Sequence, residues 1–179
     1  MEDKSKYFET QRLILRKKEL RDAEEMFNNY CSKDKVTKYL SWDTHKTLDD
    51  TISYLKNAVL PMYDENSAYE WAVVLKETGE VIGSISVPKY DLEKKSAELG
   101  WVLDDRYWGK GLMPEAATII RDYLFSLGFI RIWAVHNIAN PKSGRVMQKI
   151  GMQREGILRK FGLNNKGELV DMEMYSIVK

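Results

Sequence analysis

Apolar residues recur along this chain with two different periods, and the switches between them outline its elements. From Leu112 to Leu127, the residues Ala116, Ile119, Ile120, Tyr123, Leu124 and Leu127 return at helical spacing, and Gly128 supplies a stop. An earlier helical stripe carries Ala23, Met26, Phe27 and Tyr30, with Asp22 as its candidate cap. Leu48, Ile52, Leu55, Val59 and Met62 form another, opened by Thr47 and Asp50 and ended by Pro61. A shorter helix is predicted over Lys142 to Ile150. Strands are predicted at Leu13 to Leu15, Trp71 to Leu75, Val81 to Val87, Ser96 to Leu103 and Phe129 to Val135. A turn at Glu77 to Glu80 joins the second and third of these, and two late strands fall near Met152 to Leu158 and Leu169 to Val178.

The order is strand, two helices, an antiparallel run, a strand–helix–strand–helix unit and closing strands. It predicts a single α/β domain over residues 1–179, with a mixed central sheet flanked by helices. At 179 residues the chain can bury one good core and is short for two. With 28 basic against 27 acidic residues and no block of like charge, it lacks the footprint of non-specific nucleic-acid binding. One cysteine, Cys31, and two distant histidines, His45 and His136, give neither an intrachain disulfide nor a metal cluster. The N-terminal residues have no apolar signal segment and no run reaches membrane-spanning length, so a cytoplasmic protein is expected.

The candidate chemistry lies between the Ser96 to Leu103 strand and the helix that starts at Leu112. Arg106-Tyr107-Trp108-Gly109-Lys110-Gly111 is a glycine-bearing turn leading into a helix N-terminus, where free backbone N–H groups and the helix dipole favour an anion. Gly109 and Gly111 admit close approach, while Arg106 and Lys110 add positive charge. Such turns are also ordinary tight connections. The pattern matches neither the P-loop, which needs Ser or Thr after its lysine, nor the three-glycine dinucleotide fingerprint, so a nucleotide domain is disfavoured.

Arg-x-x-Gly-x-Gly after Glu98-Leu99-Gly100-Trp101, with Pro114-Glu115-Ala116 opening the helix, resembles the coenzyme A loop of the GNAT superfamily of N-acetyltransferases. Asn140, Ser143, Arg145, Val146, Lys149, Gly151 and Met152 are similar to the second signature of its ribosomal-protein N-terminal (alanine/serine) acetyltransferase branch. Glu9-Thr10-Gln11-Arg12-Leu13-Ile14-Leu15-Arg16 resembles that branch's first strand. The resemblance implies a mostly antiparallel sheet whose fourth and fifth strands splay apart around acetyl-CoA. It implies transfer of an acetyl group to a small-molecule amine or a protein N-terminus. With Cys31 far in sequence from the loop and no basic neighbour to activate it, direct attack in a ternary complex is expected, and no metal. Neither nucleic acid nor membrane is an expected partner, and a homodimer stays open. A non-catalytic coenzyme-A-binding sensor or regulatory module is the alternative.

On that resemblance, the cofactor site comprises the backbone of Gly100, Trp101, Val102 and Leu103, the loop residues Arg106, Gly109, Lys110, Gly111 and Leu112, and Asn140, Ser143 and Arg145. Asn140 has the amide groups to bond pantetheine, and equally suits a helix cap before Pro141. Arg145 suits either the coenzyme's phosphates or a solvated helix face. Ser143 is the candidate acid for the leaving thiolate; the family's usual tyrosine has no counterpart after this helix. Tyr39 and Trp42 fall where the superfamily holds its acceptor.

The acceptor amine sets how much base is needed. An α-amine of pKa near 8 is about one-tenth neutral at pH 7, which asks for about 1.4 kcal/mol of help; a lysine amine asks for about 5. Glu98, within an apolar strand, is the candidate base, since partial burial raises a carboxylate's pKa. A structural ion pair to a neighbouring strand is its other reading.

Overall fold

A computed structural model describes residues 3–67 and 69–179, and its frame is two five-stranded half-sheets. The first has strand order β1 (Phe8–Glu9), β2 (Leu13–Arg16), β3 (Glu70–Leu75), β4 (Val81–Ser86), β7 (Gly100–Leu103), paired antiparallel throughout. The second runs β5 (Tyr90–Asp91), β6 (Ser96–Glu98), β8 (Arg131–Asn137), β10 (Leu169–Val178), β9 (Gln153–Leu163). Among the described residues, only β6 and β8 pair parallel. A parallel pair needs a long crossover, and α5 (Leu112–Ser126) provides it.

The predicted strand from Ser96 to Leu103 thus serves both half-sheets, changing partner at Leu99. Its first part pairs Ser96, Ala97 and Glu98 with Arg131, Ile132 and Trp133. Its second part pairs Gly100 to Leu103 with Ser86 back to Gly83. Among the described residues, β8 beyond Trp133 keeps only β10 as a strand partner. The fourth and fifth predicted strands therefore diverge after Leu99, as the resemblance implied.

Alternation along the strands sends residues to two cores. Leu13, Leu15, Trp71, Val73, Ile82, Ile85, Leu99 and Leu103 pack with Ala116, Ile120 and Leu124 of α5. On the opposite face, Ala72, Val74, Val81 and Val102 pack with Met26, Tyr30, Leu55 and Val59. Those last residues come from α1 (Ala23–Met26) with its π-turn Phe27–Cys31, and from α3 (Leu48–Tyr54) with its π-turn Leu55–Val59. The second half-sheet buries Ile132, Ala134 and Tyr175 beneath α5 and α6 (Pro141–Lys149).

Several boundaries depart from the sequence expectations. Pro61 does not end its helix: the segment continues as α4 (Leu60–Asp64), where proline occupies the first turn and its missing N–H is no loss. Asp22 ends a 3-10 turn (Leu20–Asp22) rather than capping α1 by its side chain; its carboxylate accepts from the Glu19 N–H and from Arg16. The Thr47–Asp50 capping pair forms as expected. The strand β9 extends five residues past Leu158, held by pairing to β10 across a register shift. The helix α2 (Asp34–Thr37), with β1 and β5, was too short to register as a period.

Candidate active site

Where the half-sheets part, one strand is left with half of its backbone unpaired. Asp104 N–H donates to Ile82 O at 2.8 Å, which fixes which residues of β7 bond to β4. Hydrogen-bonded pairs alternate in an antiparallel ladder, so Val102 and Gly100 face β4 while Trp101 and Leu103 turn their N–H and C=O the other way. Leu99, one step earlier on that side, donates to Trp133 O at 2.8 Å. Past it the strand partner is gone, and the wedge edge presents the Trp101 groups and the Leu103 N–H. The Leu103 carbonyl is taken by the indole N–H of Trp108 at 2.8 Å. An extended chain bearing amides is the ligand such an edge fits.

The glycine turn closes one end of the wedge. Gly109 and Gly111 have φ of 79° and 77°, the left-handed region that other residues enter only at a cost. Gly111 immediately precedes α5, so the N–H groups of Leu112 and Met113 have no acceptor within the helix. Leu112 contributes only its backbone there, because its side chain is buried in the first core. Lys110 is exposed, with its ammonium 4.9 Å from the Tyr107 ring centroid. Arg106 points elsewhere: it donates to Asp104 Oδ2 (2.7 Å), Asn29 Oδ1 (2.8 Å) and Glu80 Oε1 (2.6 Å). Its guanidinium braces the loop from the side of α1 and β4.

Across the mouth stands the start of α6. Asn140 occupies the cap position yet makes no side-chain bond to the helix, so its amide is not spent on capping. Ser143 is half-buried in the first turn and Arg145 is exposed. Lys142 Nζ lies 4.5 Å from the Trp108 ring centroid, so this turn and the glycine loop meet across the wedge.

Glu98 lies at the fork itself, on the face of the sheet that α1 and α3 cover, beside Trp133 in the neighbouring register. It is 9% exposed. Burial raises its pKa, and Lys89 opposes that rise with an ammonium 3.5 Å from Oε2. That oxygen makes no hydrogen bond. The ion-pair reading of Glu98 thus has its partner, the largely exposed Lys89. Trp42 packs on the second core and stands 5.6 Å from the His45 ring, while Tyr39 is half-buried beside Lys38. Among the described residues, no hydrogen bond, ion pair or ring contact links either of them to Glu98.

Some polar residues here carried no sequence signal. Asp104 is fully buried at the loop's entry, where it accepts from Lys33 Nζ (2.9 Å) and Arg106. Lys18 is buried against Glu70, with Tyr54 and Tyr63 around the pair. It belongs to the charged run Arg16 to Glu19, in which nothing marks one lysine as internal. His45 bonds Thr51, and His136 is buried against Glu173.

A two-half sheet parted between β7 and β8, with a glycine turn and two helix starts around the gap, defines an acetyltransferase fold. The profile of the acetyltransferase (GNAT) domain matches residues 12–153, and the chain belongs to that family. It is 34% identical to an uncharacterised N-acetyltransferase of Bacillus subtilis, YoaA, over 96% of both chains, and 36% identical to the N-acetyltransferase p20 of Bacillus licheniformis, over 95% and 94%. The solved structure of a GNAT acetyltransferase from Bacillus anthracis superposes with a TM-score of 0.82 at 32% identity, over 97% and 98% of the two chains. The ribosomal-protein-serine acetyltransferase of Escherichia coli is 26% identical over 65% of this chain and 60% of its own, and the spermidine N(1)-acetyltransferase of the same organism 26% over 59% of each. The microcin C7 self-immunity acetyltransferase, solved with acetyl-CoA and AMP, shares the fold at a TM-score of 0.81 and 24% identity over 95% and 94%. The protein is an acyltransferase of the N-acetyltransferase type.

Proposed function

We propose that this chain moves the acetyl group of acetyl-CoA to a primary amine, either a protein N-terminal α-amine or a small-molecule amine, in the cytoplasm. The observation that carries this reading is the wedge: unpaired backbone at Trp101 and Leu103 leading to the Gly109–Gly111 turn. The free groups of β7 suit the amides of pantetheine, with Asn140 supplying a second set from across the gap. The N–H groups from Gly109 to Met113, with Lys110, suit the diphosphate. Arg145 is solvent-facing and suits the coenzyme's outer phosphate. Since Arg106 is committed to Asp104 and Glu80, its part is to hold the loop rather than to meet the anion.

Chemically, the amine must lose a proton and the thiolate must leave. Glu98 serves as base, directly or through a water. Its raised pKa suits an α-amine, which needs only about 1.4 kcal/mol of assistance at pH 7. An N–H of β7 donates to the tetrahedral oxyanion. Ser143 hydrogen-bonds the departing thiolate and relays to it the proton lost by the attacking ammonium, so its hydroxyl is restored, and Tyr39 and Trp42 border the acceptor. The family relatives named for a ribosomal protein and for spermidine bracket the acceptor classes, and the modest base favours the α-amine.

A panel of amines and N-terminal peptides, assayed for thiol release from acetyl-CoA, tests the proposal. Turnover with at least one primary amine and intersecting initial-rate lines are expected. Coenzyme A binding with no thiol release for any amine would favour the non-catalytic sensor.

A further inference from the structure

The N-terminal motif Thr10-Gln11-Arg12 has no part in the site described so far, yet it reaches the glycine loop. Arg12 crosses from the start of β2 to the first turn of α5. Its Nε donates to Glu115 Oε2 at 2.8 Å, its Nη2 lies 2.7 Å from the same oxygen, and its backbone N–H donates to Glu115 Oε1 at 2.9 Å. Thr10 Oγ1 donates to Oε1 as well, at 2.5 Å. Glu115 is thereby saturated by the N-terminal segment, a fuller account of it than complementarity with the helix dipole. The remaining guanidinium nitrogen, Nη1, donates to the carbonyl of Lys110 at 2.9 Å.

We propose that Arg12 is a positioning residue for the acyl donor's diphosphate: by holding the Lys110 carbonyl it turns the Gly111 N–H into the loop. This rests on the proposed acetyl-CoA site. In a trans peptide the C=O and the following N–H point in opposite directions, so fixing one fixes the other. The peptide between Lys110 and Gly111 turns about ψ of Lys110 and φ of Gly111, and glycines with positive φ stand at its far end and just before Lys110, at 77° and 79°. Such a segment is free to rotate its peptide planes, and an anion-binding turn works only when its N–H groups already converge. Arg12 supplies that order. Its own charge is neutralised by Glu115, so its effect is on loop geometry rather than on long-range attraction.

A plain tie between β2 and α5 would affect every donor alike; a brace on the loop affects only donors that carry a diphosphate. The experiment compares acetyl-CoA with S-acetyl-pantetheine, which has the thioester arm and no diphosphate, in the full-length enzyme. Arg12→Gln is expected to lower the ratio of kcat/KM for acetyl-CoA to that for S-acetyl-pantetheine by about tenfold, through KM rather than kcat. Glu115→Gln, which keeps the arginine but frees it from its anchor, should move the ratio the same way by a smaller factor. The double variant should fall no further than Arg12→Gln. Should Arg12→Gln fail to fold by circular dichroism, Glu115→Gln carries the test. Equal losses for both donors, or no loss, would overturn the role of Arg12. A wild-type enzyme that favours acetyl-CoA while the variants keep that preference defeats this inference alone. A wild-type enzyme that turns over no acetyl-CoA defeats the proposed function and this inference with it.

Discussion

Glu98 and Cys31 are both buried ionisable groups, and their surroundings assign them opposite fates. Burial raises the Glu98 pKa, the exposed Lys89 opposes that rise from 3.5 Å, and the buried Oε2 has no hydrogen bond. Glu98→Gln should lower kcat by about tenfold near neutral pH, with partial recovery at high pH where the amine is already neutral. An identical pH–rate profile in the variant would make Glu98 structural only. Burial also pushes the Cys31 thiol up, to about 12. At pH 7 only about one molecule in 10⁵ would carry the thiolate, which is too few for a covalent acetyl-cysteine route. Cys31→Ala should therefore keep near-full activity, and a trapped acetyl group on Cys31 would contradict direct attack.

At the scale of elements, the legible parts were those with a repeat long enough to count. The α5 stripe and the capping pair at Thr47 came through because each element's own residues specify it. The two π-turns did not, since a one-residue widening leaves an apolar stripe nearly intact. The glycine turn was legible through its residue types, because positive φ at 109 and 111 all but requires glycine. What Arg106, Arg12 and Glu115 do was not, for apart from Asp104, two residues before Arg106, their hydrogen-bonding partners lie 26 to 105 positions away, and no local pattern encodes such a distance. The turn's conformation yields its own test. Valine at position 111 must adopt φ of 77°, costly for a β-branched residue, and its Cβ would meet Arg12 Nη2 at 3.6 Å. Gly111→Val should weaken acetyl-CoA binding at least about tenfold, or about 1.4 kcal/mol, in a chain that still folds. Calorimetry returning wild-type affinity from a folded variant would remove the loop from the site.

Across the whole molecule, ion pairs and the buried Glu98 pull stability in opposite directions with pH. Asp105 is held down to about 2 by hydrogen bonding to Lys35 and then Lys33, and Glu155 to about 2 by Arg131 and Ser176. A carboxylate lowered on folding stabilises the fold above its unfolded pKa, about 3.9 for Asp and 4.3 for Glu, and that support is lost as pH falls toward 2. Glu98 has the reverse sign. Its folded pKa is raised, so no cost is felt while it is protonated in both states, and ionising it weakens the fold as pH climbs past the unfolded value of about 4.3. Wild-type urea midpoints should thus fall between pH 5 and pH 3, and Asp105→Asn or Glu155→Gln should flatten that fall. Glu98→Gln should do something different: raise the midpoint at pH 7 while lowering turnover, with the gain vanishing by about pH 3.5. A residue kept for packing would lose stability on substitution, whereas one kept for proton transfer is tolerated at a cost. Lower stability of Glu98→Gln at pH 7 would show that the Lys89 pair outweighs desolvation and that Glu98 belongs to the scaffold.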